Sequence, residues 1–346
     1  MEHPSAVRND RKGIIHMSGW RELYKKTVMR EFAHKKALII GDLMVDEYIT
    51  GMVCRISPEA PVPILDFEER RLEAGGASNV AHNIRCLGAE TAVAGTAAED
   101  EMGNWLRNHF QEMGIATQGM IAEVGRTTTV KTRYATKGQQ LLRIDNEDDR
   151  EIADSTKEKI YGYLVKMIST LDLVVLSDYK KGVLNDAGFV QRIIKLCRKY
   201  HVLISIDSKS RNISAFENAD FVKPNNQELA EAVGIRIEDD KALNLAGKKY
   251  LEESGARALV VTRGSKGISV FTASGGRKDY TAKDVQVYDV CGAGDTVISA
   301  ISLALVSGLA IADAVKLANL AAGVVITRIG TVAVTPEELV RSIDEE

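Results

Sequence analysis

Asp289-Val290-Cys291-Gly292-Ala293-Gly294-Asp295-Thr296 runs straight into Thr296–Ala312, a stretch without a single charge. Gly-Ala-Gly lets a backbone turn tightly and aim several N–H groups one way, and a helix start behind it adds the positive end of its dipole. Such a turn is suited to an anion, for instance a transferring phosphoryl group. Asp295 falls in the first helical turn, beside an anion hole of Gly292, Ala293 and Gly294, where its carboxylate could take a proton from an attacking hydroxyl. The dipole is expected to lower the pKa of Asp295 and leave it a weak base, which a loose phosphoryl-transfer transition state tolerates. The alternative is a plain glycine turn with Asp as a helix cap. The charge-free stretch sits at the short edge of the roughly 17–25 residues a membrane span needs. Ser299, Ser302, Ser307 and Gly308 interrupt it, so a buried helix broken at Ser307-Gly308 is the better reading.

Upstream of that helix, short apolar strands alternate with amphipathic helices. Strands are expected at Ala37–Ile40, Thr91–Ala94, Leu173–Leu176, Val202–Ile206, Phe221–Val222, Ala258–Val261 and Ile268–Phe271. Val80, Ile84 and Leu87 mark a helix stopping at Gly88, and Trp105, Leu106, Phe110 and Met113 another ending at Gly114. Further helices fall around Asp186–Tyr200, Asn226–Val233, Lys241–Ser254, Gly294–Leu305 and Asp313–Arg328. This alternation implies an α/β fold: a mostly parallel central sheet with helices on both faces. Residues 47–73 and 125–145 break the rhythm, being rich in β-branched residues and turn formers. They read as hairpins forming a small β-sheet lid over the mouth of the main sheet, or as surface hairpins without function. Residues 1–35 read as a polar lead-in, Met1 to Lys12, followed by one helix carrying Trp20, Leu23, Tyr24, Val28 and Phe32.

The 346 residues, 45% hydrophobic and 27% charged, are ample for a buried core. Forty-five Lys plus Arg against 48 Asp plus Glu gives a net charge of −3, which argues against a general nucleic-acid or membrane-surface binder. Cys54, Cys86, Cys197 and Cys291 lie far apart without CxxC spacing, so a reduced, cytoplasmic setting is expected. The N-terminal residues carry no export signal. There is no GxxxxGK[ST], no GxGxxG after the first strand, no GxSxG and no HExxH.

Four other segments could carry chemistry. Gly75-Gly76-Ala77-Ser78-Asn79 opens a helix; the glycines allow close approach of a ligand and Asn79 can address hydroxyls, or the pair is plain loop chemistry. In Lys223-Pro224-Asn225-Asn226-Gln227-Glu228, Asn225 and Glu228 share a helical face that suits magnesium or phosphate, or form a capping box. Val261-Thr262-Arg263-Gly264-Ser265-Lys266-Gly267 could cover nucleotide phosphates or simply turn a hairpin. Asp42, in Ile40-Gly41-Asp42-Leu43-Met44-Val45-Asp46, follows the first strand, where it could grip sugar hydroxyls or form the turn. Lys131, Arg133, Lys180, Lys181 and Lys209 could add positive charge or be solvated surface residues.

In this order the motifs resemble those of the PfkB (ribokinase-like) carbohydrate kinases over about residues 36–340. Gly75–Asn79 is similar to the first family signature, Asp289–Asp295 to the second, and Asn225–Glu228 to its NxxE motif. Gly41–Tyr48, Arg55–Pro63 and Leu176–Gly182 narrow the likeness to kinases of D-glycero-β-D-manno-heptose 7-phosphate, without the nucleotidyltransferase half of the bifunctional enzymes. The resemblance implies a ribokinase-like fold, and phosphorylation by ATP with Mg2+ of the anomeric hydroxyl to the 1,7-bisphosphate, toward nucleotide-activated heptose. It implies Asp295 as base, and Asn225, Glu228, Lys223, Thr262, Gly264, Gly267 and Asn319 around ATP and Mg2+. Asp42, Gly75, Gly76 and Asn79 would hold the sugar. Arg133, Lys181 and Lys209 are candidates for the 7-phosphate on charge and lid position. A monovalent cation near Asp289 and a homodimer through the lid also follow. Cys291 stands where relatives usually have Thr, so a backbone contact there would survive and a hydroxyl contact would not. Ser208 stands where many relatives have Pro. The competing readings are a kinase for fructose 6-phosphate or tagatose 6-phosphate, and a non-catalytic sugar-binding regulator on the same fold.

Overall fold

The computed structural model describes residues 19–273, 276–328 and 330–346. The lead-in read over Met1 to Lys12 lies outside them. Helix α1 (Gly19–Lys26) continues through a π turn (Thr27–Glu31) and a 3₁₀ turn (Phe32–His34) into β1 (Lys36–Gly41). Tyr24, Val28 and Phe32 are buried on one side of it, whereas Leu23 is exposed. There follow β2 (Leu43–Ile56), β3 (Pro63–Gly76), α2 (Ala77–Cys86), β4 (Glu90–Thr96), α3 (Glu101–Glu112) and β5 (Ala116–Ile121). Next come β6 (Thr129–Thr136), β7 (Gln139–Asn146), α4 (Asp154–Met167), β8 (Leu173–Asp178), α5 (Ala187–Lys199) and β9 (Leu203–Ser208). After β10 (Phe221–Val222), α6 (Asn226–Val233) and α7 (Asp240–Ser254), the chain forms β11 (Ala258–Thr262), β12 (Ile268–Thr272) and β13 (Gly276–Tyr280). It ends in α8 (Ala293–Val306), α9 (Ile311–Val325) and α10 (Pro336–Asp344).

The large sheet has nine strands in the order β13-β12-β11-β10-β9-β8-β1-β4-β5. All neighbours are parallel except β11–β12 and β12–β13. Successive side chains on a strand point to opposite faces, and both faces are covered. Ile39 of β1 therefore enters one core with α2, α8 and α9, while Leu38 and Ile40 enter the other with α4, α5 and α7. The charge-free run is explained by its place: every residue of α8 from Asp295 to Ala304 is buried. The Ser302 and Ser205 hydroxyls meet at 2.8 Å against β9, and the helix stops where Gly308 takes φ +93°. Among the described residues, no helix is long and apolar enough to cross a membrane.

The second sheet, in the order β3-β2-β6-β7, is a separate four-stranded layer. The first pair of strands reaches further than the 47–73 expected from sequence, to 43–76, because Leu43, Met44 and Val45 are buried at its root, while the second starts later than expected and spans 129–146. The register gives it two unlike faces. Asp46, Glu73, Lys131 and Asp145 form one rung and Tyr48, Arg71, Arg133 and Arg143 the next on the charged face. Glu47, Leu72, Thr132 and Ile144, then Ile49, Arg70, Tyr134 and Leu142, lie on the other, where Arg70 pairs with Glu47 at 2.6 Å among apolar neighbours. The charged face meets the main body, where Glu73 accepts from the Thr331 N–H at 2.8 Å. Four elements escaped the sequence reading: β5, α4, β13 and α10. The Thr335-Pro336-Glu337-Glu338 capping box announces α10.

Candidate active site

The carboxyl ends of β1, β8, β9, β10 and β11 open toward the N-termini of α2 and α8, the crevice where open α/β sheets bind ligands. Asp295 lies there, 6% exposed. Asn79 Nδ2 donates to its Oδ2 at 2.6 Å and the Tyr179 hydroxyl to its Oδ1 at 2.8 Å. Asn79 is itself held by Asn83, whose Nδ2 donates to Asn79 Oδ1 at 3.0 Å and whose oxygen accepts from the Thr296 hydroxyl. Burial, then the nearby Asp207 carboxylate, pushes Asp295 up to about 6, against the opposing pull of Asn79, Tyr179 and Lys223. The expectation that the helix dipole leaves it a weak base is thus corrected: loss of solvent outweighs the dipole, and the group is tuned toward neutral pH.

The glycine turn has steric reasons. Gly292 sits at φ +74°, and a Cβ on it would come 2.9 Å from Asn79 Nδ2. On Gly294 a Cβ would come 3.3 Å from Lys223 Nζ. Of the three residues read as an anion hole, Ala293 already uses its N–H, on Val290 O at 3.3 Å. Lys223 is buried and pairs with Asp207 at 3.0 Å. Burial pulls its pKa down, but Asp207, Glu228 and Asp295 outweigh that and hold the ammonium above its ordinary value. A permanent cation therefore stands beside the turn. Asp289 accepts from Cys291 N–H and Gly330 N–H at 2.9 and 3.0 Å, tying the turn to the next loop.

Asn225 and Glu228 form the capping box of α6: Asn225 Oδ1 accepts from Glu228 N–H at 2.9 Å, and Glu228 from Asn225 N–H at 2.8 Å. The cap and the proposed chemistry are compatible, since burial and then Asp207 raise Glu228, with Lys223 opposing. Thr262 donates its N–H to Pro224 O, which joins the end of β11 to this helix start. Gly264 (φ +59°) and Gly267 (φ +81°) make the β11–β12 hairpin turn, so this segment does turn a hairpin. Asn319 Nδ2 donates to Thr281 O at 3.1 Å, beside a cleft of about 840 Å³ between α9 and the end of β13.

On the sugar side the structure redistributes the roles. Asp42 is 2% exposed and accepts three main-chain N–H groups, from Tyr179 (2.7 Å), Lys181 (3.0 Å) and Val183 (3.1 Å). It anchors the 179–183 turn; burial, then Asp178, pushes it up to about 6. Asp46, four residues on, stands against the glycine pair instead: a Cβ on Gly75 would come 2.5 Å from its Oδ2. Arg133 donates to Asp46 Oδ1 at 2.6 Å and stacks over Tyr48. Gly76, at φ +55°, turns the end of β3 into α2. Asn79 commits its amide to Asp295 and its oxygen to Asn83, so it holds the Asp295 carboxylate. Lys181 is paired with Glu147 at 2.6 Å, whereas Lys209 lies 4.0 Å over the ring of Tyr179. Sequence reasoning missed Asp46, Tyr179 and Asp207, although Asp46 and Tyr179 lie inside segments it quoted and Asp207 follows the expected strand Val202–Ile206 directly.

The profile of the pfkB family of carbohydrate kinases matches residues 35–338. The Bifunctional protein HldE of Geobacter metallireducens is 39% identical over 322 residues, 92% of this chain and 66% of that protein. The chain thus spans about two thirds of the length of that relative. Among solved structures, Arabidopsis thaliana ribokinase complexed with ribose and ATP superposes with a TM-score of 0.71 at 18% identity, over 89% of this chain and 98% of that one. Escherichia coli phosphofructokinase-2 in complex with potassium gives 0.75 at 18%, over 90% and 98%.

Proposed function

The chain belongs to the pfkB family of carbohydrate kinases, and from that premise we propose that it phosphorylates the anomeric hydroxyl of D-glycero-D-manno-heptose 7-phosphate. ATP is the donor, the 1,7-bisphosphate is the product, and the place of the reaction is nucleotide-activated heptose biosynthesis in the cytoplasm. The observation that carries the kinase chemistry is the buried Asp295 at the start of α8, beside Gly292–Gly294 and the Lys223 ammonium. A sugar-binding regulator would have no use for a carboxylate tuned to about 6 at that point. The heptose is favoured over fructose 6-phosphate or tagatose 6-phosphate by Gly41–Tyr48 and Arg55–Pro63. The 39% identity to the HldE protein, against 18% to phosphofructokinase-2, supports the same choice.

In this reading Asp295 accepts the hydroxyl proton, and the N–H groups of the glycine turn with Lys223 receive the phosphoryl oxygens. Asp46, Gly75 and Gly76 border the sugar, and Arg133 and Lys209 reach its phosphate. Asn225 and Glu228 fit magnesium. Bound there, magnesium supplies charge that offsets the phosphoryl group. Asp289 would be the charged ligand of any monovalent cation. The lid face of Ile49, Leu72, Tyr134, Leu142 and Ile144, on which Phe67, Leu142 and Ile144 are exposed beside the Glu47–Arg70 pair, supports a homodimer through the lid.

The test is ATP-to-ADP conversion with magnesium over both anomers of heptose 7-phosphate, fructose 6-phosphate and tagatose 6-phosphate. Turnover restricted to heptose 7-phosphate is expected. Turnover on a hexose phosphate alone would overturn the substrate, and binding of a sugar phosphate without turnover would overturn the kinase reading.

A further inference from the structure

Asp42, Tyr179 and Asp295 form a chain of contacts that links the ends of β1 and β8 to the start of α8. Asp42 receives the N–H groups of residues 179, 181 and 183, so the turn after β8 cannot move without breaking buried hydrogen bonds. That turn carries Tyr179, whose hydroxyl reaches Asp295 Oδ1 at 2.8 Å. Lys209 covers the ring from one side, its ammonium 4.0 Å from the centroid. Asn79 occupies the other carboxylate oxygen. Each carboxylate oxygen accepts through two lone pairs, so both donors can stay while a substrate hydroxyl approaches.

We infer that Tyr179 is a positioning residue for Asp295, fixing one oxygen of the carboxylate and stabilising its ionised form by the hydrogen bond it donates. The inference rests on Asp295 being the base of the proposed transfer. Burial and the Asp295 charge keep the phenol far above its ordinary pKa, so it remains a donor throughout the working range. The groups facing Asp295 from the surrounding elements are Asp207 at the end of β9, Lys223 after β10, Tyr179 after β8 and Asn79 on α2; Glu228 and Lys209 flank them. Asp207 raises the proton affinity of Asp295, while Asn79, Tyr179 and Lys223 lower it. Deleting the phenol therefore moves Asp295 upward, and strengthening it moves Asp295 downward.

Tyr179→Phe keeps the ring under Lys209 and removes only the hydroxyl. Activity falls on the acid side as Asp295 takes up a proton, and in this variant the midpoint of that limb should rise by about one pH unit. The alkaline plateau should stay within a few-fold and KM for ATP unchanged. A 3,5-difluorotyrosine placed at 179 is a more acidic phenol and a stronger donor, and should move the limb down; it also serves if the Phe variant folds poorly. The same shifts are read without turnover from the 13C carboxyl resonance of Asp295, identified by its loss in Asp295→Asn. That resonance separates the two failures: absence of turnover on every sugar overturns the reaction, not this inference. A limb and resonance that do not move in either variant, or a uniform loss at all pH values, would overturn it.

Discussion

Replacing Asp295 by Asn should disable the protein and stabilise it at once. The carboxyl is raised from 3.8 to about 6 in the folded chain. Two units correspond to about 3 kcal/mol by which folding disfavours the ionised form. Because the folded value lies above the unfolded one, the wild-type protein loses this stability as pH rises from about 4 to about 6, and has lost all of it above that. Asn removes the charge but also one acceptor: its oxygen can receive Tyr179, while its amide faces the amide of Asn79, whose own oxygen is held by Asn83. An unpartnered buried donor costs about 1–2 kcal/mol. The net gain above pH 6.5 is therefore about 1–2 kcal/mol, or roughly 1–3 °C in Tm for a chain of this size. The gap between variant and wild type should close near about pH 5 and reverse toward pH 4, where the wild-type carboxyl is protonated and the variant still carries its unpartnered donor. Differential scanning fluorimetry from pH 4 to 8 reads it directly, because other buried carboxyls such as Asp42 titrate in both proteins and cancel. In parallel kcat should fall by on the order of 10²–10⁴, with ATP affinity by calorimetry unchanged. A variant less stable than wild type at pH 8, with a gap that ignores pH, would refute the burial reasoning. Near-wild-type turnover would refute the base.

Three further outcomes follow from the same contacts. Asp42→Ala leaves three buried N–H groups unpartnered and should cost on the order of 3 kcal/mol in a urea melt; Asp46→Ala strands the largely buried Arg133 guanidinium and should also cost stability, roughly 1–3 kcal/mol, but it alone should raise KM for the sugar on the order of tenfold, and a KM rise confined to Asp42→Ala would return the sugar to Asp42. Lys223→Met strands the Asp207 carboxylate and should cost about 3–5 kcal/mol; adding Asp207→Leu should recover most of that stability but no turnover. Phe67→Glu with Leu142→Glu should convert a sedimenting dimer to monomer if the lid face of Ile49 and Tyr134 is the interface; an unchanged sedimentation coefficient places the interface elsewhere.

The parts of this site legible in sequence are those whose physics is local. Asn225 and Glu228 lie three apart, and the box they form is closed by their own backbone, so the helix start could be read without knowing what packs above it. The glycine turn announces itself for the same reason, as does the buried run of α8. Asp42 against Asp46 is a different problem. Both follow the first strand, and only the N–H groups of residues 179–183, nearly 140 positions away, show that Asp42 anchors the scaffold, while the pairing of β2 with β3 brings Asp46 against Gly75. Asp207 and Lys223 likewise become a pair only because β9 and β10 are neighbours in the sheet.

The proton affinity of Asp295 shows why a local rule can be right and still lose. A helix N-terminus favours a carboxylate by about 0.3–1 kcal/mol when exposed, and that much the sequence could tell. The rise from 3.8 to about 6 amounts to about 3 kcal/mol in the other direction. Its largest cause is the loss of water around a group covered by Asn79, Tyr179 and Lys223, none of them within 70 residues of it in the chain. Burial is a property of the assembled crevice, and it is the larger force here, so the sign of the shift had to wait for the fold. The same crevice limits the effect: without the Asn79 and Tyr179 donors and the Lys223 ammonium, the carboxyl would be pushed higher still and would be protonated at neutral pH, unable to accept the hydroxyl proton.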